Sequence, residues 1–181
     1  MNFKKTIFIA TLAGVLLGCS SNSLTFSVNE EEGYFTIKED KVTALLREAD
    51  PDFMSVAEKK VSPDGYTYWE YHYNEGSALS VIPYFNKDGY LVQVLITAND
   101  GDLTDDQSVA RNMYEILVGF TSNCTNITSP KEAVHQALEK ENYDINGCHL
   151  TILDDSGKGE WIGTFVPSSV LDKLRSEAGY N

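Results

Sequence analysis

Four stretches of strand length, the last three rich in β-branched and aromatic residues and all separated by glycine-bearing turns, constrain this chain more than any other feature of it. Met54–Ser62 and Tyr66–Asn74 flank Asp64-Gly65. Asn74-Glu75-Gly76 leads into Ala78–Phe85, and Asp88-Gly89 leads into Tyr90–Ala98. Glycine enters the left-handed backbone region at no steric cost, so an Asp-Gly pair between such stretches favours a tight reversal. The spacing predicts four antiparallel strands in a meander. In the second strand Thr67, Trp69, Tyr71 and Tyr73 alternate with Tyr68, Glu70 and His72, which makes one face aromatic and the other mixed. Pro83 has no N–H to give to a ladder, so its strand is expected at an edge or beside a bulge.

Helices are signalled on both sides of this meander. Val42, Leu45, Leu46 and Ala49 recur at the spacing of one helical stripe, and Pro51 marks its end. Thr104 with Gln107, and Ser129 with Glu132 and Pro130, have the spacing of capping boxes that satisfy the first backbone N–H groups of a helix. Val109, Met113, Ile116, Leu117 and Phe120 supply the apolar stripe of the first of these two helices. Cys148–Leu153 and Glu160–Val166 predict a hairpin across Asp155-Ser156-Gly157-Lys158-Gly159, followed by a last helix from Ser169 to about Ala178. Grouped strands beside grouped helices predict an α+β domain, an antiparallel meander with helices packed on one face. The order helix, strands, helices, strands has the look of a half-repeat, although no self-similarity of sequence accompanies it.

The N-terminus carries a different message. Lys4 and Lys5 precede an apolar run from Thr6 to Gly18, 13 residues and too short to cross a bilayer core of about 30 Å as a helix. Leu16-Leu17-Gly18-Cys19, followed by the polar Ser20-Ser21-Asn22-Ser23, resembles the lipobox of bacterial lipoproteins. That resemblance implies a signal peptide over residues 1–18 and diacylglycerol and fatty acyl (palmitate) chains on Cys19 as the new N-terminus. The short, acidic segment Leu24–Tyr34 after the polar Ser20–Ser23 is expected to be loosely held, which gives a lipidated tether over 19–34 and a globular periplasmic domain over 35–181. Several acyl chains, at about 0.8 kcal/mol per buried CH₂, anchor stably where one binds reversibly. Ser20 in place of Asp after the cysteine implies the outer membrane of a Gram-negative cell, or the cell membrane if the source is Gram-positive. The element order over residues 36–98 is similar to small periplasmic lipoproteins that accompany β-barrel assembly, with no shared motif.

With Cys19 spent on lipid, Cys124 and Cys148 remain, and an even pair in an oxidising compartment is most simply a disulfide. Closing such a loop would restrict the unfolded chain by about 3.5 kcal/mol in the entropy model. The leader holds two of the 14 bases and none of the 27 acids, so the mature chain has 12 bases against 27 acids, a formal charge of −15. That charge repels phosphate backbones, so no nucleic acid is expected as partner, whereas a basic protein would be attracted.

Catalytic and metal-binding patterns fail on their mechanical requirements. G-x-S-x-G, S-x-x-K and H-E-x-x-H do not occur; His72, His135 and His149 lie on different elements, and the one carboxylate at i, i+4 from any of them, Glu139 after His135, makes a pair too small for a zinc site. Counting an EF-hand loop from Asp100 puts Asp105 where glycine is needed and Arg111 where glutamate is needed. No metal or cofactor is therefore expected, nor an enzyme; a catalytic site would have to be assembled from Glu70, His72 and nearby tyrosines. The tyrosines are the better clue, because Tyr and Trp combine large buried area with a polar tip. Tyr66, Tyr68 and His72, opposite the expected core face, are the candidate partner-binding residues of a non-catalytic envelope lipoprotein. The alternative is an inhibitor or immunity lipoprotein that neutralises a basic toxin or cell-wall hydrolase.

Overall fold

A computed structural model describes residues 24–49, 57–73, 79–99, 109–155 and 160–177. The strands are β1 (Val28–Asn29), β2 (Tyr34–Lys38), β3 (Glu58–Val61), β4 (Thr67–Tyr73), β5 (Leu79–Phe85), β6 (Tyr90–Ala98), β7 (Asn142–Ile145), β8 (Cys148–Asp155) and β9 (Glu160–Pro167). The helices are α1 (Glu39–Ala49), α2 (Val109–Asn123), α3 (Pro130–Lys140) and α4 (Ser168–Glu177). All strands belong to one antiparallel sheet with the path β3-β4-β5-β6-β9-β8-β7, so the architecture is α+β as expected, but the helices do not all share one face, because α4 packs on β8 and β9 from the side of Val166 and His149. Two meanders, β3–β6 and β7–β9, meet edge to edge where Val94 pairs with Phe165 and Ile96 with Gly163.

Strand alternation sorts the side chains onto two faces. Val81, Phe85, Val94, Ile96, Leu150, Ile152 and Phe165 are buried on the face that receives Met113, Ile116, Leu117 and Phe120 of α2. Gly163 lies beneath that helix, and a Cβ there would come within 2.6 Å of Leu117 Cδ1. Its missing side chain is what lets α2 approach the sheet. Val42 and Leu46 of α1 join the same core, and Ala133, Val134 and Ala137 seat α3 on it.

Several expectations need correction. The stretch from Leu24 to Tyr34 was expected as part of a loose tether, yet Phe26 is 3 % exposed, meets Phe35 edge-on at 5.4 Å, and Phe35 stacks on Phe165 at 4.5 Å. The packed domain therefore extends back at least to Phe26, and β2 fills the remaining edge of β6 beside its first residues. Of the two settings expected for the strand bearing Pro83, an edge or a bulge, the structure has the second: the strand is interior, the β4–β5 register skips Trp69 and Glu70, opposite Pro83 and Ile82, and a register shift follows between Tyr84 and Phe85. Interruption of the ladder, not an edge position, accommodates the missing N–H. Ser129 makes no side-chain cap; its carbonyl accepts from Ala133 N–H at 2.9 Å instead. β7 was not anticipated. The Thr104–Gln107 box and the acidic Asp100–Asp106 stretch lie outside the described residues.

Candidate functional site

The face of the sheet opposite α2 is built by the same alternation. β3 and β4 contribute Glu58, Lys60, Tyr68 and Glu70, in register as Glu58 with Glu70 and Lys60 with Tyr68. Across the sheet the Tyr68 row continues through Tyr84 to Gln93, and the next row runs from Ile82 through Leu95 and Thr164 to Thr151. The neighbouring row runs from Ser80 through Thr97 and Ile162 to Leu153. Ile162 and Leu153 are 36 % and 39 % exposed, against 7 % for Val166 and 2 % for His149 at the end of the same face where α4 packs on β8 and β9. Ile162 and Leu153 thus lie exposed, next to the half-buried Ile82 and Leu95 and interleaved with threonines, on the face that also carries an aromatic corner.

The aromatic corner has a defined geometry. Tyr68 and Tyr84 stack with ring centroids 4.8 Å apart. Lys60 bridges Glu58 at 3.2 Å and also bonds Glu70, and these two hydrogen bonds, Glu70 first, hold its ammonium above the usual lysine range. Burial pushes the Tyr84 phenol up, with the neighbouring Tyr68 and Glu70 adding to it. A second pair, Tyr34 on Tyr90 at 4.4 Å, is capped by Lys38 at 4.6 Å from the Tyr90 ring. On the core face Trp69 is tied down instead: its indole N–H donates to Glu39 at 3.0 Å and Lys59 lies over the ring.

Of the three residues singled out by sequence, Tyr68 is placed squarely in this corner. Tyr66 closes the β3–β4 turn, its N–H donating to Ser62 Oγ at 3.1 Å and its carbonyl accepting from Ser62 N–H. The backbone of His72 pairs with Ser80, while its side chain lies outside the described residues. Sequence reasoning missed Ile82, Leu95, Ile162 and Leu153. Extending the odd–even alternation from β4 to β5, β6, β8 and β9 would have found them.

Two further clusters lie near the β7–β8 turn. His149 is enclosed between Asp144 Oδ1, 2.9 Å from Nδ1, and Thr151 Oγ1, 3.0 Å from Nε2; Ser168 donates to the same Asp144 oxygen and Thr151 donates to Asn142. The hydroxyl–imidazole–carboxylate order is that of a nucleophile and its base, but an imidazole 2 % exposed offers a substrate no access. Its evident effect is to join β7, β8 and the first residue of α4.

Behind it, on the core side, Cys124 Sγ and Cys148 Sγ stand 3.6 Å apart, both thiols buried and unbridged, where a disulfide would need about 2.05 Å. The Cys148 sulfhydryl directed at Cys124 holds the Cys124 thiol below the usual range against the opposing effect of burial, with the N–H groups of Asn126 and Ile127 assisting. The same contact, then burial, pushes Cys148 up.

Among the described residues no group of three or more His, Cys, Asp or Glu side chains could hold a metal ion, and no helix is long and apolar enough to cross a membrane. No protein-family model, curated protein or solved structure matches the chain.

Proposed function

We propose that this chain is a non-catalytic lipoprotein, anchored through acyl chains on Cys19 and facing the periplasm, that binds another envelope protein through the open face of its sheet. The observation that carries the binding surface is the exposed pair Ile162 and Leu153, with the half-buried Ile82 and Leu95, on the face that bears the stacked Tyr68 and Tyr84. Contiguous apolar surface rimmed by polar groups is the usual mark of a contact site, and tyrosines with one polar end suit a surface that is wet when unoccupied. The anchor is supported by Leu16-Leu17-Gly18-Cys19, and Ser20 supports outer-membrane sorting in a Gram-negative cell. A disulfide between Cys124 and Cys148 belongs to the same reading, since an exported chain meets oxidants.

The acidic excess favours a basic partner, which is the inhibitor or immunity version of this function. Photo-crosslinking in intact cells from probes at residues 68 and 162, with mass spectrometry of the product, tests the surface. Capture of one envelope protein from both positions is expected; if neither position yields a product that a probe on the far side of α3 lacks, the surface is not a binding site. Metabolic labelling with a fatty-acid analogue tests the anchor separately, and failure to label a wild-type chain that a Cys19→Ser change also leaves unlabelled would remove it.

A further inference from the structure

The two thiols lie beneath the point at which the N-terminal segment enters the fold. Phe26 N–H donates to Asn123 O at 2.9 Å and Thr125 N–H donates to Phe26 O at 2.7 Å, so residues 26 and 124 form a parallel bridge around the first cysteine. Val28 N–H donates to Asn126 Oδ1 at 3.0 Å. Asn126 in turn exchanges side-chain amide bonds with Asn146, giving Asn126 Nδ2 to Asn146 O at 3.2 Å and Asn146 Nδ2 to Asn126 O at 2.8 Å. Asn146 and Gly147 form the turn that delivers Cys148. Three segments far apart in the chain thus converge on one pair of sulfurs: the N-terminal strand, the turn after α2, and the β7–β8 turn.

We infer that Cys124 and Cys148 are a modification site, an intramolecular cystine that fastens the strand through which the membrane anchor enters the domain. The inference rests on the proposed anchor for its biological sense, while the bond itself depends only on this geometry. A disulfide-bearing oxidant supplies the redox balance. The Cys124 thiolate attacks one oxidant sulfur, breaking the oxidant's S–S bond and releasing one thiol. The Cys148 thiolate then attacks Cys124 Sγ, closing the new S–S bond and expelling the second oxidant sulfur; the two departing thiolates take up, through solvent, the two protons that the protein thiols gave up. Because both sulfurs are buried, the exchange belongs to folding, and the finished bond is shielded from later reduction.

A pull on the anchor is then borne first by the backbone bonds at Phe26 and Val28, and the cystine keeps their acceptors in place. Full-length protein in detergent, refolded with reduced and oxidised glutathione, tests this. After denaturation and maleimide-polyethylene glycol labelling, with Cys19 counted from a Cys124→Ala/Cys148→Val variant, both internal thiols should be absent without reductant and present with it. Mixed glutathione adducts, intermolecular dimers or two labelled thiols in the folded protein would overturn the cystine. Amide exchange at Phe26 and Thr125 should be at least tenfold faster in the reduced protein than in the oxidised one. Where reduction unfolds the chain, the Cys124→Ala/Cys148→Val variant supplies the comparison. Equal exchange with and without the bond would overturn the fastening role. A cystine formed in vitro beside free thiols in cells would count against the exported address, leaving the geometry standing.

Discussion

The two faces of one sheet are made from the same strands and differ in nearly everything else. On the α2 side, positions such as Phe165, Ile96 and Gly163 are fully buried and tolerate little change in volume, because protein interiors are packed as densely as organic crystals. On the other side, Ile162 and Thr164, the neighbours of those residues in the same strand, keep a share of their surface in water. The difference teaches that folding fills the α2 face, while the opposite face is covered at its α4 end, over Val166 and His149, and leaves Ile162 and Leu153 partly in water.

Truncation on the buried face should have the largest effect. Phe165→Ala removes a ring stacked on Phe35 and tilted against Phe26, and is expected to cost about 3–5 kcal/mol in denaturant unfolding. Gly163→Ala follows, at about 1–3 kcal/mol, since the added methyl would press on Leu117 Cδ1 from 2.6 Å. A stability equal to wild type would show that α2 does not lie as closely on the sheet as described. Ile162→Ala, one residue away, should change stability by only about 0.5 kcal/mol, while reducing crosslinking from residue 68; a large loss of stability with unchanged crosslinking would reverse the assignment of the two faces.

The smallest effect is at high pH. Tyr84 has a raised value in the fold, so the stability tied to its proton is fully present below its ordinary pKa of 10.0 and is lost as pH rises through the folded value. Lys60, raised from 10.5, has the same sign. Unfolding midpoints measured between about pH 8 and 11.5 should therefore fall at the alkaline end, less steeply for Tyr84→Phe than for wild type. Tyr114 is also raised by burial and keeps part of the slope in that variant. Identical slopes would remove the burial argument for Tyr84.

Turn chemistry made most of the meander legible. Gly65 and Gly89 have φ of +83° and +78°, the conformation for which Asp-Gly is suited, and the strands fall on either side as expected. Asn146-Gly147 carries an equally strong signal, with both residues at positive φ, and attention to Asn-Gly as well as Asp-Gly would have exposed β7. The N-terminal strand was a harder problem. Glu30-Glu31-Glu32 gives the segment the composition of a solvated tether, and only the long-range meeting of Phe26, Phe35 and Phe165 explains its burial. The candidate face was half legible: alternation in β4 located Tyr68, but its partners come from strands whose order in the sheet no local pattern encodes. The enclosure of His149 depends on Ser168 and Asp144, brought together only by the finished sheet.

The seam between the two meanders has a kinetic consequence. β6 is completed along most of its length only when β9 arrives, with Val94 waiting for Phe165. An N-terminal fragment ending before residue 160 would present a row of unsatisfied amides and carbonyls on a strongly apolar strand, a template for pairing between molecules. Pairings so distant in the chain slow the search for the native state. Any cell that makes this protein must therefore keep the nascent first half from sticking to its own copies until the last strand is delivered.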